Sequence, residues 1–175
     1  MKTVEITLYK FAELSDEAQQ KAIEKLLDIN VDYEWWEFTY EDAKRIGLEI
    51  TSFDLDRNLH AKGDLLWSAP EIANKIITEH GESCDTYSLA KTFLTDYDKL
   101  VEKYSDGKDL TRVAEDNECD FDNDADELEE DFRKDLLEEY AQILSKEYYY
   151  LTSKESIIES IESNDYDFTE DGELY

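Results

Sequence analysis

At 175 residues the chain is long enough for one domain with a core of its own. Hydrophobic residues make up 41% and aromatics 13%, which excludes a wholly disordered chain. A net charge of −29 speaks against direct binding to nucleic acid or to an anionic membrane and in favour of a basic partner.

From the N-terminus, Thr3–Phe11 alternates Val4, Ile6 and Leu8 with Glu5, Thr7 and Tyr9, the period of a half-buried strand. Ser15 then offers a helix N-cap, with Asp16 and Glu17 in the first turn. Ala18, Ala22, Leu26 and Ile29 share one face of that helix. Asp32 to Gly47 is a second expected helix, with Lys44 and Arg45 in its last turn. Leu48–Asp56 alternates again, with one break in phase. Arg57–Asn58 makes a turn, and Asn58–Trp67 returns as the hairpin partner, with Gly63 marking a bulge or an irregular strand.

Pro70 and Gly81 bracket a third helix with Ile72, Ile76 and Ile77 on its apolar face. Leu89, Phe93, Tyr97, Leu100 and Val101 mark a fourth. From about Asp124 to Leu151, a stripe of Leu128, Phe132, Leu136, Tyr140, Ile143/Leu144 and Tyr148 predicts a long helix. Ser153 caps a short helix carrying Ile157, Ile158 and Ile161. The end of the chain reads as a hairpin turning at Asp171–Gly172. The expected fold is α+β, a small antiparallel sheet with several packed helices and a helix-rich acidic C-terminal half. The expected organisation is an α+β core over 1–104, an acidic linker-like segment over 105–123, and residues 124–175 packing on the core as one domain.

The charge is uneven. Residues 1–100 hold 21 acids and 11 bases, and residues 101–175 hold 26 acids and 7 bases. The densest run has eleven carboxylates in the seventeen residues from Glu115 to Asp131 and no base. As a helix it would span ~26 Å, one carboxylate per ~2.3 Å. Duplex DNA carries one negative charge per ~1.7 Å of axis. A groove built for phosphates would accept such a surface, so the reading that carries furthest is mimicry of a nucleic-acid backbone. Plain solvation of an acidic surface is the competing reading.

Two other chemistries fit the residues less well. Asp120, Asp122, Asp124 and Asp126 stand at positions 1, 3, 5 and 7 of a calcium-loop pattern. Position 6 is Ala125 instead of glycine and position 12 is Asp131 instead of glutamate, so a calcium-binding protein is only an alternative reading. Two cysteines (Cys84, Cys119) and two histidines (His60, His80) give no second ligand pair for zinc. No nucleophile elbow or Gly-rich phosphate loop occurs, so no metal, cofactor or catalytic residue is expected. The cysteine usage and the absence of a signal-like or membrane-spanning segment fit a reduced, intracellular protein.

"YEWWEFTY" places Tyr33, Trp35, Trp36, Phe38 and Tyr40 on the second expected helix, and they cannot all face inward at 100° per residue. Core packing accounts for most of them. Trp35 and Phe38 are the candidates for a hydrophobic anchor at a partner or at a homodimer contact. The other candidate contact residues are the acids Glu115, Asp116, Glu118, Asp120, Asp122, Asp124, Asp126, Glu127, Glu129, Glu130 and Asp131.

The run Tyr33–Asn58, the preceding "FAELSDEAQQKAIEKL" and the closing "NDYDFTEDGELY" resemble a family of small acidic proteins of phages and other mobile elements. That family is similar to type II anti-CRISPR proteins, the inhibitors of Cas9. The resemblance implies a protein that binds Cas9 with its guide RNA and blocks DNA binding or cleavage. It supplies no catalytic residue. An antitoxin-like module that neutralises a restriction enzyme or a toxin is the alternative of the same chemistry.

Overall fold

The computed structural model describes residues 5–105 and 118–175, the side chains of Glu118 and Cys119 excepted. The fold is α+β. Its contacts group the chain into two compact units, residues 1–36 with 146–175 and residues 37–145. This grouping differs from the expected division at 104 and 123.

In the first unit, β1 (Tyr9–Lys10) pairs antiparallel with β4 (Asp167–Phe168). A 3-10 turn over Phe11–Glu13 leads to α1 (Asp16–Lys25), and α6 (Lys154–Ser163) supplies the facing helix. Both helices start as their sequences dictate. The Ser15 hydroxyl accepts from the Ala18 amide, and the Ser153 hydroxyl accepts from the Ser156 amide. Phe11, Leu14, Ala18, Ala22, Ile23, Ile157, Ile161 and Phe168 form the core. Asn30 is buried with its amide fully used. It donates to the Leu151 carbonyl and the Ser156 hydroxyl, and accepts from Ser160 at 2.6 Å.

Of the expected strand over Thr3–Phe11, Thr3 and Val4 lie outside the described residues, and among the rest only Tyr9–Lys10 pairs, with Asp167–Phe168 near the end of the chain. Ile6 is 54% exposed and Leu8 half-buried, so among the described residues the alternation finds a packing surface only from Leu8 onward. The closing turn forms as expected. Gly172 (φ +81°) donates to the Thr169 carbonyl, and Phe168 bridges Leu174.

The second unit holds α2 (Glu37–Ile46), the hairpin β2 (Leu48–Asp54) and β3 (His60–Leu65), α3 (Ala69–Glu79), α4 (Asp85–Tyr104) and most of α5 (Glu118–Leu151). Its core gathers Ile46, Leu48, Ile50, Ile72, Ile76, Phe93, Phe132, Leu136 and Tyr140, with the rings of Phe93 and Phe132 stacked at 4.4 Å. Glu71 accepts from the Ser68 amide at the start of α3. The hairpin register slips between Ile50 and Ser52, so Thr51 is the extra residue of a β-bulge facing Gly63 and Lys62.

Two boundaries are corrected. Helix α2 begins at Glu37, not Asp32, so Tyr33, Trp35 and Trp36 precede it and lie in turns. Helix α5 begins at Glu118, so residues 118–123, expected as linker, are helical; residues 106–117 lie outside the described ones. The reason is aromatic. Phe121 packs edge-on against both Tyr97 and Tyr104, each at 6.1 Å, and this anchors the first turn of α5 on α4. Acids in a first turn also suit the positive end of a helix. Among the described residues, no helix is long and apolar enough to cross a membrane.

Candidate functional site

The acidic run is a helix surface. Asp120, Glu127, Asp131 and Glu138 recur at 7, 4 and 7 residues, which at 100° per residue puts them on one line of α5, and all four are exposed. Asp124 and Asp135 flank that line. The stripe runs ~27 Å, with one carboxylate about every 5 Å. That is sparser than the ~3.4 Å of one DNA strand, and far sparser than composition alone suggests. The difference arises because the other described acids of the run point elsewhere or are engaged within the fold.

Asp124 accepts from Lys103 at 2.8 Å and from the Tyr104 hydroxyl at 2.7 Å. The Lys103 ammonium, and then Tyr104, hold its carboxyl below the usual carboxylate range. Glu130 is gripped by two N–H groups of Arg133, at 2.7 and 2.8 Å, and is lowered by them. Glu129 is half-buried. Burial pushes it upward, and a hydrogen bond from the Ala69 backbone at the start of α3 opposes the shift. These three acids are structural. Asp122 and Asp126 are exposed on a different side of α5 from the stripe. Glu115 and Asp116 lie outside the described residues, as does the side chain of Glu118.

Beside the stripe, α4 and α5 enclose a groove of about 480 Å³ in which Leu100 and Leu128 lie among Asp96, Lys99, Lys103, Asp124, Glu127 and Asp131. Lys99 is tied to Asp96 at 2.8 Å. Both lysines are thus already paired to acids, and Glu127 and Asp131 are the exposed carboxylates of that rim, Asp131 with Lys134 at 3.6 Å. A lysine or arginine of a partner would meet carboxylates there with apolar surface between them, which suits the stem and head of such a side chain.

The aromatic candidates separate. Trp35 is buried at 8% exposure, its ring 5.7 Å from both Trp36 and Tyr148, so it is not a surface contact. Phe38 is 82% exposed on the first turn of α2. Tyr33, Tyr149 and Tyr150 are also exposed. Tyr149 and Tyr150 follow Tyr148 on a helix, where consecutive residues step 100° around the axis, and that was the signal available for them.

The calcium-loop spacing falls on continuous helix, where alternate residues point about 160° apart and cannot converge on an ion. Among the described residues, no group of three or more His, Cys, Asp and Glu could hold a metal. His80 faces Thr86, at 2.7 Å, and Asp42, at 3.7 Å. Asp42 also accepts from the Tyr140 hydroxyl at 2.9 Å. Burial, with Asp42 close by, pushes that hydroxyl far above the usual tyrosine range, so it remains a donor. This pairing holds α2 to α5 within the second unit. Comparison with protein-family models, curated proteins and solved structures finds no match to the chain.

Proposed function

We propose that this chain is a non-enzymatic inhibitor of a nucleic-acid-binding nuclease, Cas9 with its guide RNA, acting in the cytoplasm of a bacterial host. Its acidic helix docks where DNA would lie and competes for the same lysines and arginines. The observation that supports this reading is the exposed line Asp120, Glu127, Asp131 and Glu138 on a helix anchored by the core of its own unit. A rigid helix presents charges without the entropy cost of ordering a flexible chain. Cas9 offers a positively charged channel for its heteroduplex and arginines that read the adjacent motif.

The test is DNA cleavage by Cas9 with guide, with the protein added before or after target DNA. Inhibition only when the protein comes first supports competition for the DNA site. Equal inhibition in both orders contradicts that step. A restriction enzyme in a parallel arm covers the alternative: inhibition of that enzyme and not of Cas9 would move the partner to the antitoxin-like class.

A further inference from the structure

Cationic side chains gather at a groove between two elements of the second unit. In the second unit a groove of about 630 Å³ runs between β3 and α5. It is lined by Lys62, Arg133, Lys134 and His60 against two acids, Asp64 and Glu138. Acids outnumber lysines and arginines by 47 to 18 in the whole chain, so this lining is not a sample of its surface.

The hairpin is shaped around that groove. Gly63 is required there, because a Cβ would stand 2.1 Å from the Glu49 carbonyl oxygen. The bulge at Thr51 lies opposite, its hydroxyl donating to the Lys62 carbonyl at 3.1 Å. Bulges are common where a strand must re-aim its side chains beside a site.

Arg133 is the fixed element. Its Nη1 donates to the Gly63 carbonyl at 2.8 Å, and Nε and Nη2 donate to Glu130. A guanidinium has five N–H donors, so two remain. Lys62 is exposed and makes no ion pair with any described residue. Lys134 reaches Glu130 and Asp131 only at 3.5 and 3.6 Å, with its side chain 60% exposed. The Nδ1 of His60 lies 2.6 Å from the Asn58 carbonyl. A carbonyl only accepts, so Nδ1 carries the proton and Nε2 is left over. Glu130, Asp131 and Asp64 stand within 4.0 Å of Arg133 or Lys134, so the groups left for a ligand are the unpaired Lys62 and the spare Arg133 donors, with Lys134 only loosely held.

We infer that this groove binds a small anion bearing a phosphate or carboxylate group, held by the remaining Arg133 donors and the ammonium groups of Lys62 and Lys134. Its volume is that of a small-molecule site. A peptide strand added to the edge of β3 fits less well, because Arg133 already occupies the Gly63 carbonyl. The inference goes beyond the proposed inhibition and does not depend on it.

The experiment is an amide NMR titration of the full chain with inorganic phosphate, adenosine monophosphate and succinate in separate arms. The expected result is saturable shifts at residues 59–64 and 133–138 with at least one probe. The arms distinguish phosphate from carboxylate. The double variant Lys62→Ala/Lys134→Ala should keep the other resonances and weaken binding about tenfold or more. No saturable shift with any probe would overturn the inference, as would equal binding by the double variant.

Discussion

Replacing Asp120, Glu127, Asp131 and Glu138 together with lysine is expected to abolish binding to the Cas9–guide complex, by about a hundredfold or more in affinity. The four residues share one exposed line of α5. Each substitution removes an attraction and adds a repulsion against a basic groove, so the effect exceeds simple neutralisation. The fold should survive. None of the four is in either core, and a chain of net −29 gains from losing self-repulsion. Unchanged thermal stability with lost binding is the expected pair of results, read by calorimetry and by a melting scan. Asp124 and Glu130 are left out because they hold Lys103 and Arg133. Reversing them would damage α5 and confuse loss of binding with loss of structure. Asp122 and Asp126 serve as the control. They lie away from the stripe, and their reversal should weaken binding much less.

Gly172→Ala is expected to destabilise the first unit by about 3 kcal/mol. Gly172 has φ +81°, and an added Cβ would lie 2.2 Å from the Ala18 carbonyl oxygen. The clash is with α1 backbone, so no rotamer change relieves it. Either the closing turn or α1 must move. Ion pairs from Lys21 and Lys25 to Asp171 and Glu173 join the same two segments, but they are exposed and contribute little. Hydrogen exchange reads the change directly. Amides of α1 and α6 should lose protection, while α3 and α4 keep theirs.

Local signals in the sequence were enough for much of this. The caps at Ser15 and Ser153, the Pro70 start and the apolar stripe of α5 all depend on residues within a turn or two of each other, and the structure has them where spacing put them. Pairings at long separation were not readable. Tyr9–Lys10 meets Asp167–Phe168 beside the shared core of α1 and α6, and nothing near Tyr9 encodes that. The direction of Trp35 depends on Tyr148, over a hundred residues away. The acids of 118–123 suggested a linker by composition, and the single Phe121 with its two tyrosine partners outweighed them.

The same lesson applies to the candidate site. Counting carboxylates gave a density near that of duplex DNA. Lys103, Arg133 and the Ala69 backbone withdraw three of them, and helical geometry divides the rest between faces. What remains is a sparser line of charge beside a half-apolar groove, better suited to a few specific lysine or arginine contacts than to a uniform copy of a phosphate backbone.

The central claim is that the exposed carboxylates of α5 bind a surface meant for nucleic acid. The most direct measurement is the affinity of the chain for the Cas9–guide complex across a salt series, with and without target DNA. Affinity is expected to fall by about tenfold or more between low and physiological salt, because the contacts are exposed charge pairs, and target DNA is expected to displace the protein. Affinity that is independent of salt and unaffected by DNA would contradict it.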